Sequence, residues 1–575
     1  MITKYTRVRI FLLGFFFAAA LVAISAKAVY IQVYKGQWLS QKATGQIKKS
    51  VASAGKRGTI YDANGNELAV TIDVTSIAAR PRLVEEKKQT ARVVARALKR
   101  GYKGIRKKLD AQKPFVWLKR QATPKETEAI RKANLKGIEF LSEKNRYYPN
   151  TTLAAQVVGF TGIDGNGLEG LEFYYDRYLR GAESKTTVLK DALGNGIDAR
   201  RQPVQSLQGH NLVLTLDQNI QYLTETALLE AVNEYKAKSG MAIVMVPKSG
   251  AILAMAHAPL FNPNAYDKSS KSRWRNRAVT DKFEAGSTMK IFSAAAALES
   301  AGIKPNDIFY CEKGKYRIGS NVVHDVKKHE WLSLQQIIKY SSNIGAVKIA
   351  EKTGRKNIYR NLRRFGFGEK TGIDAPGEVP GVLSHYSRWS KIDVGAISFG
   401  HGLAVTALQL VRAVAAIAND GELMKPYLVK AITDSEGRIV KEYRPVRIRR
   451  VVSAQTARLT RNILKTVITE GGTGVNAALE GYTVCGKTGT ARKLSPSGTY
   501  DRDRHIASFV GMAPADQPAV AVLVVIDEPQ GAYYGGAVAA PVFKKIIQGT
   551  LPYLNIAPQS SQQRMRVGLP SEVRG

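Results

Sequence analysis

The sequence predicts an α+β fold carried on a single N-terminal membrane span. Three observations point there: one long uncharged run near the amino terminus, a basic turn-rich stretch after it, and β-type segments grouped at both ends of a long helical region. With 575 residues, two to four domains and a sizeable buried core are expected. Apolar content of 44% and charged content of 23% exclude a mainly disordered chain. The 86 Lys and Arg against 47 Asp and Glu leave a net charge of +39, which asks for an anionic partner. Two cysteines, Cys311 and Cys485, exclude a disulfide framework and any Cys₄ or Cys₂His₂ zinc site. The seven histidines form no His-Glu-x-x-His pattern, so no metal site is expected.

The apolar run spans Ile10 to Ala26, follows Lys4, Arg7 and Arg9, and continues through Tyr34. At 1.5 Å per residue it covers a hydrocarbon core. Lys27 interrupts it near one end, where a lysine snorkels, and Tyr30 with Tyr34 suits an interface. The alternative is a cleaved signal peptide at Ala26-Lys27-Ala28, but a lysine between the alanines makes a poor processing site. Residues 1–9 are therefore read as a cytoplasmic tail, 10–34 as the anchor and the remainder as extracytoplasmic. That placement makes nucleic acid a poor partner and an anionic wall or headgroup surface a natural one.

Residues 35–208 read as an extended spacer without a long apolar core signature. Lys87 to Lys108 is expected to be one amphipathic helix with a solvated basic face, and the glycines of 159–170 and 194–196 mark loops. From 209 to 555 the texture changes. Leu212 to Leu216 reads as a strand, and Asp217 caps a helix bearing Ile220, Leu223, Ala227, Leu228, Ala231 and Tyr235 on one face. Ala242 to Val246 and Ala251 to Ala256 flank Pro247-Lys248-Ser249-Gly250 as a hairpin. Tyr482 to Cys485, Ile506 to Met512 and Ala519 to Ile526 read as three more strands, followed by a helix over 541–547. The two strand groups are expected to close one antiparallel sheet around a mostly helical insert. Residues 556–575 form a tail.

Three short motifs carry chemistry. Ser287-Thr288-Met289-Lys290 opens an alanine-rich helix, where residues three apart share a face. Apolar neighbours lower a lysine's pKa, so its amine can take a serine proton. Ser-x-x-Lys alone is weak, since on the order of two matches arise by chance in such a composition. Ser53-Ala54-Gly55-Lys56 is a second copy, without apolar helical flanks, and reads as linker. Ser341-Ser342-Asn343 breaks two apolar helical runs and places a hydroxyl and an amide at a turn. Lys-Thr-Gly occurs three times. Lys352-Thr353-Gly354 reads as a helix end and Lys370-Thr371-Gly372 as a loop. Only Lys487-Thr488-Gly489-Thr490 continues a β-branched strand, where backbone can pair with an extended peptide and glycine permits close approach. Cys485 lies two residues from Lys487 and reads as a small buried residue, with a reactive thiol as the alternative.

Ser-x-x-Lys, Ser-x-Asn and Lys-Thr-Gly in this order resemble the set known from penicillin-binding proteins and class A β-lactamases. The likeness extends to Arg275 through Asp281, Gly471-Gly472-Thr473-Gly474, Ile526 through Pro529 and Tyr533 through Gly536. In the spacer it takes in Arg57 through Asp62, Asn64-Gly65, Leu68-Ala69, Arg146 through Pro149, Val158 through Phe160, and Gly167 through Gly170. Nearly the whole chain is similar to class B penicillin-binding proteins, most of all to the division-specific type. Departures are Ala285, where the family has proline, Ala63 for a common arginine, and His401 for a frequent tyrosine. Ala285 is expected to loosen the approach to Ser287.

The resemblance implies a transpeptidase domain with an antiparallel sheet under helices, standing on an N-terminal pedestal. It implies a peptidoglycan D,D-transpeptidase that releases terminal D-Ala from a stem pentapeptide through a serine acyl-enzyme. Ser287 is the implied nucleophile, Lys290 the base, and Ser341 with Lys487 the proton relay. Asn343, Thr488, Gly489 and Thr490 are implied in substrate binding, and no cofactor is needed. Implied partners are β-lactams, an FtsW-type glycosyltransferase and other division proteins. Rival readings are a carboxypeptidase, a penicillin-sensing receptor, an elongation or sporulation paralogue, and a division scaffold without turnover.

Overall fold

A computed structural model describes residues 4–53, 55–181, 184–190, 196–197, 208–495 and 499–559. One compact unit comprises residues 1–56 and 181–208. In it Lys4–Val29 is an α-helix that runs into a π-turn at Tyr30–Tyr34. Among the described residues, Lys4–Tyr34 is the segment long and apolar enough to cross a membrane. Its Phe, Leu and Ile side chains are exposed all round, the pattern of a helix whose surroundings are apolar. The strand Lys48–Ser53 pairs antiparallel with Ser184–Lys190.

The second unit, 57–180 and 209–575, contains two large sheets. The first is antiparallel, in the order Ile252–Ala258, Ser239–Met245, Val520–Asp527, Tyr500–Ala513, Cys485–Leu494. Strands from both ends of 209–555 thus close one sheet, as the sequence predicts, although the strand read at Tyr482 to Cys485 begins only at Cys485 and runs to Leu494. Every residue of Ser239–Met245 is buried, so both faces of this strand are covered. Helices Gln218–Glu234 and Ala540–Tyr553 pack on the sheet and on each other, while the wholly buried helix Ala407–Ala418 packs against its central strands. Asp217 caps Gln218–Glu234 by accepting from the N–H groups of Asn219 and Ile220. Cys485–Leu494 lies at one end of the strand order, which leaves one of its edges open to the site.

The strand at Asn211–Leu214 does not belong to this sheet. It joins the second one, pairing parallel with Ile60–Tyr61 and antiparallel with Val429–Thr433. That sheet continues through Glu67–Ala79 to Val116–Ala122 and Ile138–Tyr147, so it crosses the boundary read at residue 208.

Two expectations for the basic stretch fail. It has a core of its own, built from Ile77, Val84, Val94, Leu98, Ile105, Leu109, Leu118 and Ile130. These residues come one or two per element, so no long apolar run betrays them. Lys87 to Lys108 forms two helices, Lys87–Ala97 and Tyr102–Asp110, because the chain reverses at left-handed Lys99 (φ 50°) and extended Gly101. A charged cluster with a buried centre of Arg57, Arg146 and Glu172 also lies here, with Asp176 at its half-exposed margin. Glu172 receives Arg57 Nε at 2.6 Å and Arg146 Nε at 2.5 Å, while Arg57 reaches Asp176 at 2.6 Å and Arg146 donates to the Gly58 carbonyl. Glu172 is fully buried.

Candidate active site

The serine motif occupies a 3₁₀ turn, Gly286–Met289, that runs into the helix Lys290–Ser300. The Thr288 hydroxyl donates to the Ala285 carbonyl at 2.8 Å and fixes the turn. Ala285 holds φ −71°, a value that proline would also adopt, so the turn has the same backbone shape that proline would give it. The alanines after Lys290 are buried together, which sinks the lysine stem into the core.

Ser341 ends the helix Leu334–Tyr340 in a left-handed conformation (φ 60°), and Ser342 caps the next, Asn343–Thr353. The turn read from Ser341-Ser342-Asn343 is therefore present. Asp325 holds it: one carboxylate oxygen accepts from the N–H groups of Asn343 (2.5 Å) and Ile344 (3.0 Å), the other from the Ser342 hydroxyl (2.5 Å). A carboxylate at a helix N-terminus is favoured by the dipole as well.

Lys487 and Cys485 both lie on the edge strand and are fully buried. A Cβ on Gly489 would fall 2.3 Å from Ser508 Oγ and 3.0 Å from the Ala285 carbonyl oxygen, so glycine lets the strand approach the serine turn. Burial pushes the Cys485 thiol up to about 12, which makes it the inert alternative of the two readings. The other Lys-Thr-Gly copies end a helix at Gly354 and form a loop tied to Glu378. Ser53 ends the strand Lys48–Ser53 in the other unit.

The three motifs meet. Lys290 Nζ donates to Ser287 Oγ at 3.1 Å, to Asn343 Oδ1 at 2.7 Å, and to the carbonyl and hydroxyl oxygens of Ser341 at 2.7 and 3.2 Å. Lys487 Nζ donates to Ser341 Oγ at 2.9 Å and to Thr488 Oγ1 at 3.2 Å, and Thr488 Oγ1 to Thr473 Oγ1 at 2.9 Å. Ser341 Oγ is thus shared by two amines. Burial lowers Lys290 to about 7, against the opposing pull of Asp325. Burial also lowers Lys487 well below its ordinary value, and the neighbouring Lys290 charge adds to it. A cleft of about 580 Å³ opens above, lined by Ser287, Ser341, Asn343, Thr488 and Thr490 among others. Lys290 and Lys487, the two other implied catalytic residues, are buried and reach the cleft through their hydrogen bonds to Ser341. Asp325 was missed because it sits outside any motif and meets Asn343 only through the fold.

The loop 399–402 forms another wall. A Cβ on Gly400 (φ 92°) would fall 2.0 Å from the Gly286 carbonyl oxygen. Gly400→Ala is expected to displace the serine turn and slow acylation by penicillin on the order of 100-fold with the fold retained. An unchanged acylation rate would show that the turn does not depend on this contact.

Residues 240–548 match the model of the penicillin-binding protein transpeptidase domain, over half the chain. The chain belongs to the penicillin-binding protein transpeptidases. Residues 52–214 match the penicillin-binding protein dimerisation domain, the pairing of class B members. The chain is 35% identical over 560 residues to the probable peptidoglycan D,D-transpeptidase PenA of Neisseria meningitidis, covering 96% of this chain and 94% of that one. It is 34% identical to the peptidoglycan D,D-transpeptidase FtsI of Escherichia coli, over 94% and 91%, and to the stage V sporulation protein D of Bacillus subtilis, over 97% and 87%. Among solved structures, penicillin-binding protein 3 of Mycobacterium tuberculosis complexed with aztreonam superposes with a TM-score of 0.69 at 29% identity, over 88% of this chain and 98% of that one. This penicillin-binding protein is a serine-type peptidoglycan D,D-transpeptidase of the FtsI-like class B group.

Proposed function

We propose that Ser287 attacks the penultimate D-Ala carbonyl of a stem pentapeptide, with Lys290 as general base, and releases terminal D-Ala to leave an acyl-enzyme. The observation that carries this is the 3.1 Å hydrogen bond from Lys290 Nζ to Ser287 Oγ, in surroundings that hold the amine near neutrality. Ser341 and Lys487 relay a proton to the departing D-Ala amine through their 2.9 Å contact. Backbone N–H groups of Ser287 and Thr490 hold the oxyanion, each such donor being worth ~3–4 kcal/mol. Asn343 binds the donor's amide and Thr488 with Thr490 its carboxylate, while Gly489 leaves room for strand-like pairing. An amine of a neighbouring stem peptide then takes the acyl group and completes the cross-link. A β-lactam takes the donor's place and stays on Ser287.

The base assignment is open to a pH test. With Lys290 titrating at about 7, its neutral fraction rises about tenfold from pH 6 to pH 8. The acylation rate with penicillin is expected to rise by that factor; a flat profile over the interval would remove Lys290 as the base.

The same reading places residues 1–9 in the cytoplasm, 10–34 across the membrane, 35–208 as pedestal and 209–555 as the transpeptidase domain outside the membrane, with 556–575 as a tail. It assigns the enzyme to septal wall synthesis beside an FtsW-type glycosyltransferase. The support is likeness to FtsI over most of both chains. Depletion in the source organism is the test. Filaments with unfinished septa are expected, whereas loss of shape without filamentation, or a defect confined to spores, would reassign the role.

A further inference from the structure

His401 stands one residue beyond the glycine that packs on the serine turn, and its side chain lines the same cleft as Ser287. Its imidazole lies against Phe399 (ring centroids 5.4 Å apart, 64°) and Tyr500 (5.1 Å, 33°). The surround is fixed in turn. The Tyr500 hydroxyl donates to both Glu284 oxygens at 3.2 and 3.0 Å, and Glu284 also accepts from the Gly402 N–H at 2.9 Å. The ring is therefore held by an edge-on contact with Phe399 and a tilted one with Tyr500. Among the described residues no hydrogen bond is made by either of its ring nitrogens, and the residue is half-buried at the cleft wall. The proton steps assigned to Lys290, Ser341 and Lys487 make no use of this group.

We propose that His401 is a catalytic base on the acceptor side of the cleft, receiving a proton from the amine that attacks the Ser287 acyl-enzyme. In that step the amine nitrogen forms a bond to the acyl carbon, and the carbonyl electron pair moves to the oxyanion. The nitrogen then carries an extra proton, which passes to the imidazole. On collapse the carbonyl re-forms and the bond from acyl carbon to Ser287 Oγ breaks with its electron pair on oxygen. Oγ takes back the proton that Lys290 received from it during acylation. The departing D-Ala amine has drawn its own from the Ser341–Lys487 pair, which solvent reprotonates. Lys290 ends neutral, ready for the next donor, and the imidazolium gives its proton to solvent.

The charges facing the ring suit a base that is neutral when the acceptor arrives. Burial lowers its pKa, Glu284 opposes this, and Lys290 with Arg492 lowers it further; Tyr500 faces it as a neutral phenol. The imidazole is thus uncharged at and above neutral pH, and acid removes its basicity.

The inference rests on Ser287 forming the acyl-enzyme, so the test measures the two halves apart. The full-length chain in detergent would be compared with His401→Gln and His401→Tyr for two rates. One is acylation by a fluorescent penicillin; the other is transfer from a thioester donor to a D-amino acid amine, followed from pH 5.5 to 8.5. In His401→Gln the transfer rate is expected to fall on the order of 100-fold, with acylation within threefold of wild type. His401→Tyr keeps a ring between Phe399 and Tyr500 but titrates far above neutrality. It is expected to lose the acid limb of the transfer profile that His401 sets, even if His401→Gln fails to fold. A transfer rate and acid limb unchanged in the variants would overturn the proposal, and so would an equal fall in both rates. Failure of the wild type to acylate would instead strike the Ser287 reading.

Discussion

Ser287→Ala in the full-length chain is expected to abolish covalent labelling by a fluorescent penicillin, while Ser53→Ala labels like the wild type. Both serines stand three residues before a lysine, so the local pattern does not separate them. Surroundings do. Lys290 is fully buried, drawn down to about 7, and hydrogen-bonded to Ser287 and to the Ser341 turn. Ser53 ends the strand Lys48–Ser53 and belongs to the other unit. Removing the nucleophile of a unit that acts together removes nearly all its catalysis. Residual labelling of Ser287→Ala at the wild-type level would mean that another residue is acylated and that the assembled cleft is not the reacting site.

Glu172→Gln is expected to have the largest effect on stability. Glu172 is the shared anion between Arg57 and Arg146, and all three are buried. Removing one partner leaves two desolvated guanidinium groups facing each other, a loss of about 3–5 kcal/mol for a broken buried pair. The check is the thermal midpoint of the full-length chain at one fixed heating rate, compared with Lys132→Ala, whose pair with Glu128 is exposed. A large fall in the first and none in the second is expected. Equal midpoints would show that solvent or rearrangement relieves the two arginines. Arg57 also donates to the Glu172 carbonyl and Arg146 to that of Gly58, so the cluster binds the start of the pedestal to its last helices.

The sequence made the chemistry legible where it is local. Ser287 and Lys290 are on one turn, Ser341 and Asn343 flank one helix break, and Lys487 to Thr490 continue one strand. The catalytic strands are legible because helices cover both faces, so they read as unbroken apolar runs. Contacts made only in three dimensions were not legible. Asp325 serves a helix 18 positions away, and Glu284 meets the Tyr500 hydroxyl across 216. The pedestal core was missed because most elements give it only one or two side chains and the helix Lys87–Ala97 gives two small alanines with Val94. The membership of Asn211–Leu214 in the second sheet was missed because its partner, Ile60–Tyr61, is two residues long and has no periodicity to read.

The order of strands in the catalytic sheet has a consequence for how the chain is born. Ser341 and Lys487 share a hydrogen bond across 146 positions, and the central strand Val520–Asp527 is among the last parts to be made. A nascent chain therefore carries its serine and first lysine long before the strand that completes the site exists. Until then Ser239–Met245 lacks its neighbour Val520–Asp527, and its apolar edge is bare. Synthesis broken off before residue 520 yields a product without the central strand and with an edge ready to aggregate. Reactivity toward the wall, or toward an antibiotic, thus becomes a certificate that synthesis has passed the central strand.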